Sequence, residues 1–231
     1  MFTVYHSNQL DVLTQLMAAL MQGQPLDNPF EREVILVQSP GMAQWLQMEL
    51  ARSFGIAANI DFPLPATFIW DLFTRVLPDI PQRSAFSKDA MTWKLMWLLP
   101  QFLIRPEFAP LAHYLSDDAD RRKQFQLAAR IADLYDQYLV YRPEWLQRWE
   151  QGALIDDLDS AQLWQAPLWV ALRDYTERLG QPQWHRANLY QRFIQALQQA
   201  DQPPAGLPRR VFICGISALP PVYLEALRAL G

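Results

Sequence analysis

Val34-Ile35-Leu36-Val37 is an unbroken apolar run, bounded by the Gly- and Pro-bearing segment from Gly23 to Arg32 and by Ser39-Pro40-Gly41. A strand with one wet face alternates apolar and polar residues, whereas a strand covered on both faces reads as a continuous apolar stretch. Such a strand needs helices on either side of it and parallel neighbours reached by crossovers. A second run of this kind, Val211-Phe212-Ile213-Cys214, follows Arg210. The two are expected to belong to one parallel sheet.

The segments around these runs fit that plan. Thr3 to His6 is a short β-branched and aromatic stretch, predicted as a first strand. Ser7 or Asn8 is the expected cap of a helix carrying Leu10, Leu13, Leu16, Met17, Leu20 and Met21 on one stripe. Met42 to Phe54 is a second amphipathic helix with Trp45, Leu46 and Leu50 inward, ended by Gly55. Ile56 to Phe62 is a possible short strand broken by Pro63 and Pro65, and a helix is expected from Thr67 through Ile69, Trp70, Phe73 and Val76.

From Ser87, the expected cap, to Ala200 nearly everything reads as helix. Long helices are predicted over Asp117 to Tyr141, from Pro143, over Ser160 to Leu179 with a kink or restart at Pro167, and over Arg186 to Ala200. A linker, Asp201-Gln202-Pro203-Pro204-Ala205-Gly206, leads to the strand Arg210 to Cys214 and a helix from Pro220 to Leu230. The fold class is therefore α/β, a thin parallel sheet interrupted by a large all-helical insert, and predominantly helical overall. The divisions fall at residues 1–80, 81–206 and 207–231. Gly231 follows directly on a helix that leads, in this pattern, to another strand, so the chain is expected to be the front of a longer protein.

Composition narrows the chemistry. With 24 acidic against 20 basic side chains the net charge is −4, which argues against a basic coat for duplex nucleic acid and against a polybasic membrane binder. One cysteine, Cys214, excludes a disulfide framework and a multi-cysteine zinc site, and on its apolar strand it reads as a small buried hydrophobe. His6, His113 and His185 show no ligand spacing. No apolar run reaches the ~18–20 residues of a membrane span, and Met1 to His6 has neither the basic start nor the apolar core expected of a signal peptide. A reducing cytoplasm is the expected compartment.

A parallel sheet with a helical insert raises the question of a nucleotide-driven motor. The turn Ser7-Asn8-Gln9-Leu10 has neither the glycines nor the lysine of a phosphate-wrapping loop, and the three lysines, Lys88, Lys94 and Lys123, lie in the helical block. The last strand ends in Cys214-Gly215-Ile216-Ser217, where a motor needs an acidic pair to hold Mg²⁺. Acidic clusters at Asp117, Asp118 and Asp120 and at Asp156, Asp157 and Asp159 stand at helix starts, where capping explains them. No catalytic arrangement is visible in this segment, and no metal or cofactor site is expected in it.

Two groups suit binding. Gln38 follows the second strand and Gln44 lies early in the next helix, and ligands of open parallel sheets meet the carboxyl ends of the strands. Leu64 and Trp70 follow, and Trp70 can stack on a base or belong to the core. Asp133 and Asp136 are one helical turn apart, with Leu134 between them, Gln137 beside Asp133, and Arg142 beyond. A carboxylate there can accept hydrogen bonds from the Watson–Crick edge of an unpaired guanine. The competing reading is a solvated helix face or an ion pair with an arginine such as Arg130.

Longer stretches carry a resemblance. Gly41 to Met48, Gly55 to Ala66, Asp136 to Pro143, Trp184 to Phe193 and Val211 to Pro221 are similar to the RecC family, the gamma chain of exodeoxyribonuclease V, and the similarity runs along the whole chain. It implies a degenerate superfamily 1 helicase-like fold of the P-loop type, with residues 1–80 and 207–231 in helicase domain 1A and 81–206 as a 1B-like insert. It implies a heterotrimer with RecB and RecD, which supply the motors, the nuclease, ATP and Mg²⁺. It also implies DNA contact in double-strand break repair by recombination: duplex splitting, threading of the 3′ single strand through a tunnel, and recognition of the Chi sequence. Gln38, Gln44, Leu64, Trp70, Asp133, Leu134, Asp136, Arg142 and Arg186 match the tunnel lining. Pro40 stands where close relatives have threonine, which removes one polar contact. The alternative is a structural module that docks RecB without touching DNA.

Overall fold

A computed structural model of the chain describes residues 3–156, 158, 160–200, 202 and 204–230. The chain forms two compact units, residues 1–78 with 194–231, and residues 79–193.

The first unit is built on a three-stranded parallel sheet in the order β2-β1-β3, with β1 Glu33–Val37, β2 Ile60–Asp61 and β3 Val211–Cys214. The apolar run is thus the central strand, and Ile35, Leu36 and Val37 are fully buried. Val34 to Val37 lie in register with Val211 to Cys214. Helix α1, Leu10–Gly23, and helix α2, Pro40–Phe54, cover Ile35 and Val37 with Met17, Ala18, Met21, Leu46 and Leu50. Helix α3, Pro65–Val76, packs on β1 and on the last helix, α10, Pro221–Leu230. The sheet with helices on it appears as the sequence predicts, within a chain that is mostly helix.

Several local expectations are corrected. Thr3 to His6 is not a strand: its side chains are exposed and it joins no ladder, so its β-branched residues have no pleated surface to pack on. Ser7 and Asn8 do not cap α1. Ser7 Oγ instead accepts from the Gln9 N–H at 3.0 Å, and Gln9 takes the cap position with no side-chain bond. The strand expected over Ile56 to Phe62 shrinks to Ile60–Asp61. Asn59 sits at φ 62° with its amide donating to the Pro29 and Glu31 carbonyls at 2.9 and 2.8 Å, so pairing begins only after it. Helix α3 starts at Pro65 rather than Thr67, with the proline in the first turn, where its missing N–H costs nothing.

The second unit holds α4 Lys88–Phe102, a 3-10 turn Pro106–Phe108, α5 Ala109–Tyr114, α6 Arg122–Tyr141, α7 Pro143–Glu150, α8 Gln162–Arg178 and the first half of α9 Arg186–Gln199. Leu95, Leu98 and Leu99 of α4 meet Ala128, Ile131, Tyr135 and Leu139 of α6 and Trp149, Leu168, Trp169 and Leu172 beyond them in one core. Ser87 occupies the cap position of α4, but its hydroxyl makes no cap bond. Helix α6 begins at Arg122, five residues later than expected. Asp118 accepts from the N–H groups of Lys123 and Gln124 at 3.0 and 2.7 Å, so the acidic cluster caps from outside the helix. Helix α8 runs through Pro167 without restarting. Of the other acidic cluster, Asp157 and Asp159 lie outside the described residues, and Asp156 is 3.6 Å from Arg148.

Candidate nucleic-acid interface

In the first unit, the expected residues gather by way of one backbone bond. The Val37 N–H donates to the Pro63 carbonyl at 3.2 Å, which ties the end of β1 to the chain leaving β2. Gln38 and Leu64 are the next residues on each side of that bond, and both are exposed. Ser39 then caps α2 through its hydroxyl, which accepts from the Met42 N–H at 3.2 Å, and Pro40 opens the helix. Gln44, exposed, follows one turn later. The carboxyl end of β3 closes on the same place: Gly215 has φ 65°, and a Cβ there would stand 2.8 Å from Met42 Cε. Gln38, Gln44 and Leu64 therefore share the carboxyl end of the sheet. Trp70 is nearly two turns inside α3, about 9 Å along the axis from Leu64. It is half-buried, with its ring edge-on to the buried Phe73 at 6.2 Å.

In the second unit, Asp133, Leu134 and Asp136 lie on α6 and are half-buried. Asp136 Oδ1 accepts from Arg186 Nη1, at the start of α9, at 3.0 Å. Asp133 Oδ1 is ion-paired with Lys88 Nζ, and its Oδ2 accepts from Gln137 Nε2 at 3.1 Å. The Lys88 bond holds the Asp133 carboxyl below its ordinary range, and the Asp133 bond holds the Lys88 ammonium above its own. Arg142 ends α6. It is exposed, its guanidinium is 5.5 Å from the Trp145 ring centre, and it donates to the Tyr141 carbonyl. The ion-pair reading of the two carboxylates holds, but with Lys88 and Arg186 rather than with Arg130 as the bonded partners. Lys88 is the residue the sequence did not single out. It lies 45 residues from Asp133, and no local pattern joins a residue at the start of α4 to one on α6.

The chemistry of the two groups differs. The sheet end offers amide side chains and an exposed aliphatic one. The α6 face offers carboxylates whose charge is partly answered by cations. Asp133 uses both oxygens, whereas Asp136 Oδ2 has no further partner among the described residues. No group of three or more His, Cys, Asp or Glu able to hold a metal ion occurs among the described residues. No described helix is long and apolar enough to cross a membrane.

The sequence profile of the RecC N-terminal domain matches residues 2–231. The chain belongs to the RecC N-terminal domain family. The RecBCD enzyme subunit RecC of Escherichia coli (strain K12) is 67% identical over 231 residues, all of this chain and 21% of that protein. The RecC subunit of Haemophilus influenzae is 43% identical over 251 residues, covering all of this chain and 22% of the relative, and that of Mycolicibacterium smegmatis is 31% identical over 235 residues, 99% and 20%. The chain spans about a fifth of the length of these RecC relatives.

Proposed function

We propose that this chain is a non-catalytic DNA-binding and scaffold portion of a RecC subunit, acting in a RecBCD-type helicase–nuclease with RecB and RecD in recombinational repair. The relatives are subunits of the RecBCD enzyme, which supports the assembly. The three parallel strands flanked by helices support a helicase-like sheet, and the turn before α1, without glycine or lysine, supports a motor site that has been lost, with ATP and Mg²⁺ left to the partners. On this reading the chain threads the 3′ single strand and takes part in recognising Chi.

The observation that carries the reading is the Asp136 carboxylate, oriented by Arg186 through one oxygen and with no partner among the described residues at the other. Such a group can accept from the N–H donors of an unpaired guanine edge, and a preset orientation lowers the ordering cost of doing so. Gln38 and Gln44 at the sheet end offer amide groups that pair with base edges. The test is Asp136→Ala in the assembled complex, followed by digestion of duplex DNA with and without Chi. The expected result is an altered Chi response with unwinding and digestion retained, and equal loss of all three would count against the reading.

The docking reading has one observation in its favour: the Trp70 ring rests edge-on against the buried Phe73, as a core residue would. Crosslinking a single strand to the complex separates the two. A strand that never reaches the Trp70 peptide leaves a module that docks RecB without touching DNA at the sheet end.

A further inference from the structure

The helical unit carries a row of aromatic side chains unrelated to the candidate residues above. Trp93 and Trp97 lie one turn apart on α4, 66% and 51% exposed, which is unusual for the largest apolar side chain. Each is braced by a ring from a neighbouring helix. Trp93 packs on Phe125 of α6 at 5.6 Å between centroids, and Phe125 is itself 43% exposed. Trp97 lies flat on Tyr175 of α8, at 4.6 Å and with only 5° between the planes. The Arg178 guanidinium stands 5.6 Å from the centre of the Tyr175 ring. Since one face of Trp97 is covered by Tyr175, its exposure belongs to the other face and the edge.

Charge frames the row. Arg121 and Arg122 lie one turn before Phe125 in the chain. Arg122 is paired with Asp120 and Lys123 with Asp117, while Arg121 and Arg178 are exposed and ion-paired with no carboxylate among the described residues. Asp89, one turn before Trp93, is the acidic side chain on the same stretch of α4. The row thus combines flat aromatic faces with a guanidinium group against the Tyr175 ring, Arg178, and another one turn before Phe125 in sequence, Arg121.

We infer that the Trp93–Trp97 row, with Phe125, Tyr175, Arg121 and Arg178, is a stacking platform for single-stranded nucleic acid, separate from the sheet end and from the α6 carboxylates. Aromatic faces accept any base, and cations beside them meet the phosphates, which is the pattern of sequence-tolerant single-strand binding. The two tryptophans are about 6 Å apart along the helix axis, a span that successive bases of an extended strand bridge. Bracing by Phe125 and Tyr175 fixes the rings before the strand arrives. None of its residues lines the pocket bounded by Met21, Phe54 and Ile60 or the one bounded by Val34, Phe68 and Pro208.

The test uses the full-length protein and an oligothymidylate carrying 5-iodouracil. Irradiation is expected to crosslink the peptide that bears Trp93 and Trp97. Trp93→Leu with Trp97→Leu should abolish that crosslink, and Arg121→Glu with Arg178→Glu should reduce it at least fivefold. Crosslinks on the Trp70 peptide report the sheet-end reading separately, so either can fail alone. Both pairs of positions are exposed, and an unchanged circular dichroism melt shows that the fold survives. If the Leu variants unfold, the Glu pair decides. No crosslink at the row in the folded wild-type protein overturns the inference, as does a row variant that keeps its oligonucleotide crosslinks but loses binding to a protein partner.

Discussion

Arg186 Nη1 donates to Asp136 Oδ1 at 3.0 Å across fifty residues of sequence, and each side chain keeps about a quarter of its surface exposed. A pair this wet contributes at most about 1 kcal/mol. Asp136→Ala and Arg186→Ala are therefore expected to shift the unfolding midpoint little. A double-mutant cycle should return a coupling below about 1 kcal/mol. The functional expectation is asymmetric. Among the described residues Asp136 has one oxygen without a partner, whereas Asp133 spends both on Lys88 and Gln137, so Asp136→Ala should alter the Chi response more than Asp133→Ala does. Quantifying Chi-dependent products on a marked duplex for the two variants checks this, and a larger effect at Asp133 would reverse the assignment.

The central strand was legible because its burial on both faces leaves a mark in four consecutive residues. Thr3 to His6 misled because β-propensity describes a surface to pack on, and there no neighbouring strand supplies one among the described residues. The sequence read the acidic cluster as a cap, and Asp118 is one, but it bonds Lys123 and Gln124 from outside the helix, so α6 starts at Arg122 rather than at Asp117. At the candidate site, the sequence placed Gln38 and Leu64 on different segments. What joins them is a main-chain bond between Val37 and Pro63, which no side-chain pattern announces. The partners of Asp133 and Asp136 were hidden because Lys88 and Arg186 come from other helices. Spacing along one helix reports only its own face.

Lys94 gives a pH prediction. Its ammonium is buried, donating to the Ala85 carbonyl at 2.8 Å and to Thr176 Oγ1 at 2.9 Å, with no carboxylate among the described residues bonded to it. Burial pushes its pKa down to about 8, from 10.5 in the open chain. The unfolded chain therefore holds this proton more tightly, and the group opposes folding by roughly 3 kcal/mol at neutral pH. That penalty fades as pH rises from about 8 to 10.5, the window set by the two values. Lys94→Met removes the titration. Its stability relative to wild type should be highest near pH 7 and should fall by pH 10, as read by denaturant midpoints at each pH. A difference that does not vary with pH would mean that the fold leaves the Lys94 pKa at its unfolded value.

Glu150 is a half-buried counterpart on α7. It accepts from Trp169 Nε1 at 2.9 Å and lies 3.0 Å from Nε2 of His185, a side chain with no exposure. The Asn188 N–H points at His185 Nδ1 at 3.4 Å, which leaves the hydrogen on Nε2 to be donated to Glu150. Burial raises the Glu150 pKa, but the His185 and Trp169 bonds outweigh it and the net direction is down. A depressed carboxylate stabilises the fold fully above its unfolded value of 4.5, and that contribution is lost as pH falls through the lower folded value. Glu150→Ala should cost roughly 3 kcal/mol near neutrality by orphaning two buried donors. The gap between wild type and Glu150→Gln should narrow as acid unfolding is followed downward from pH 6.

Gly215, where β3 ends, separates two sources of cost. Its φ of 65° lies in the left-handed region, where a side chain brings Cβ against the carbonyl oxygen, and its missing Cβ would stand 2.8 Å from Met42 Cε. The Met42 tip can swing aside, while the backbone cannot change φ without moving the turn after the strand. Gly215→Ala should therefore destabilise by about 1–2 kcal/mol, and Gly215→Asn by less, because asparagine tolerates this conformation. Urea midpoints of Gly215→Ala with and without Met42→Ala decide which cost dominates. Backbone strain predicts no rescue by the smaller neighbour, and rescue would place the cost in the contact with Met42 instead.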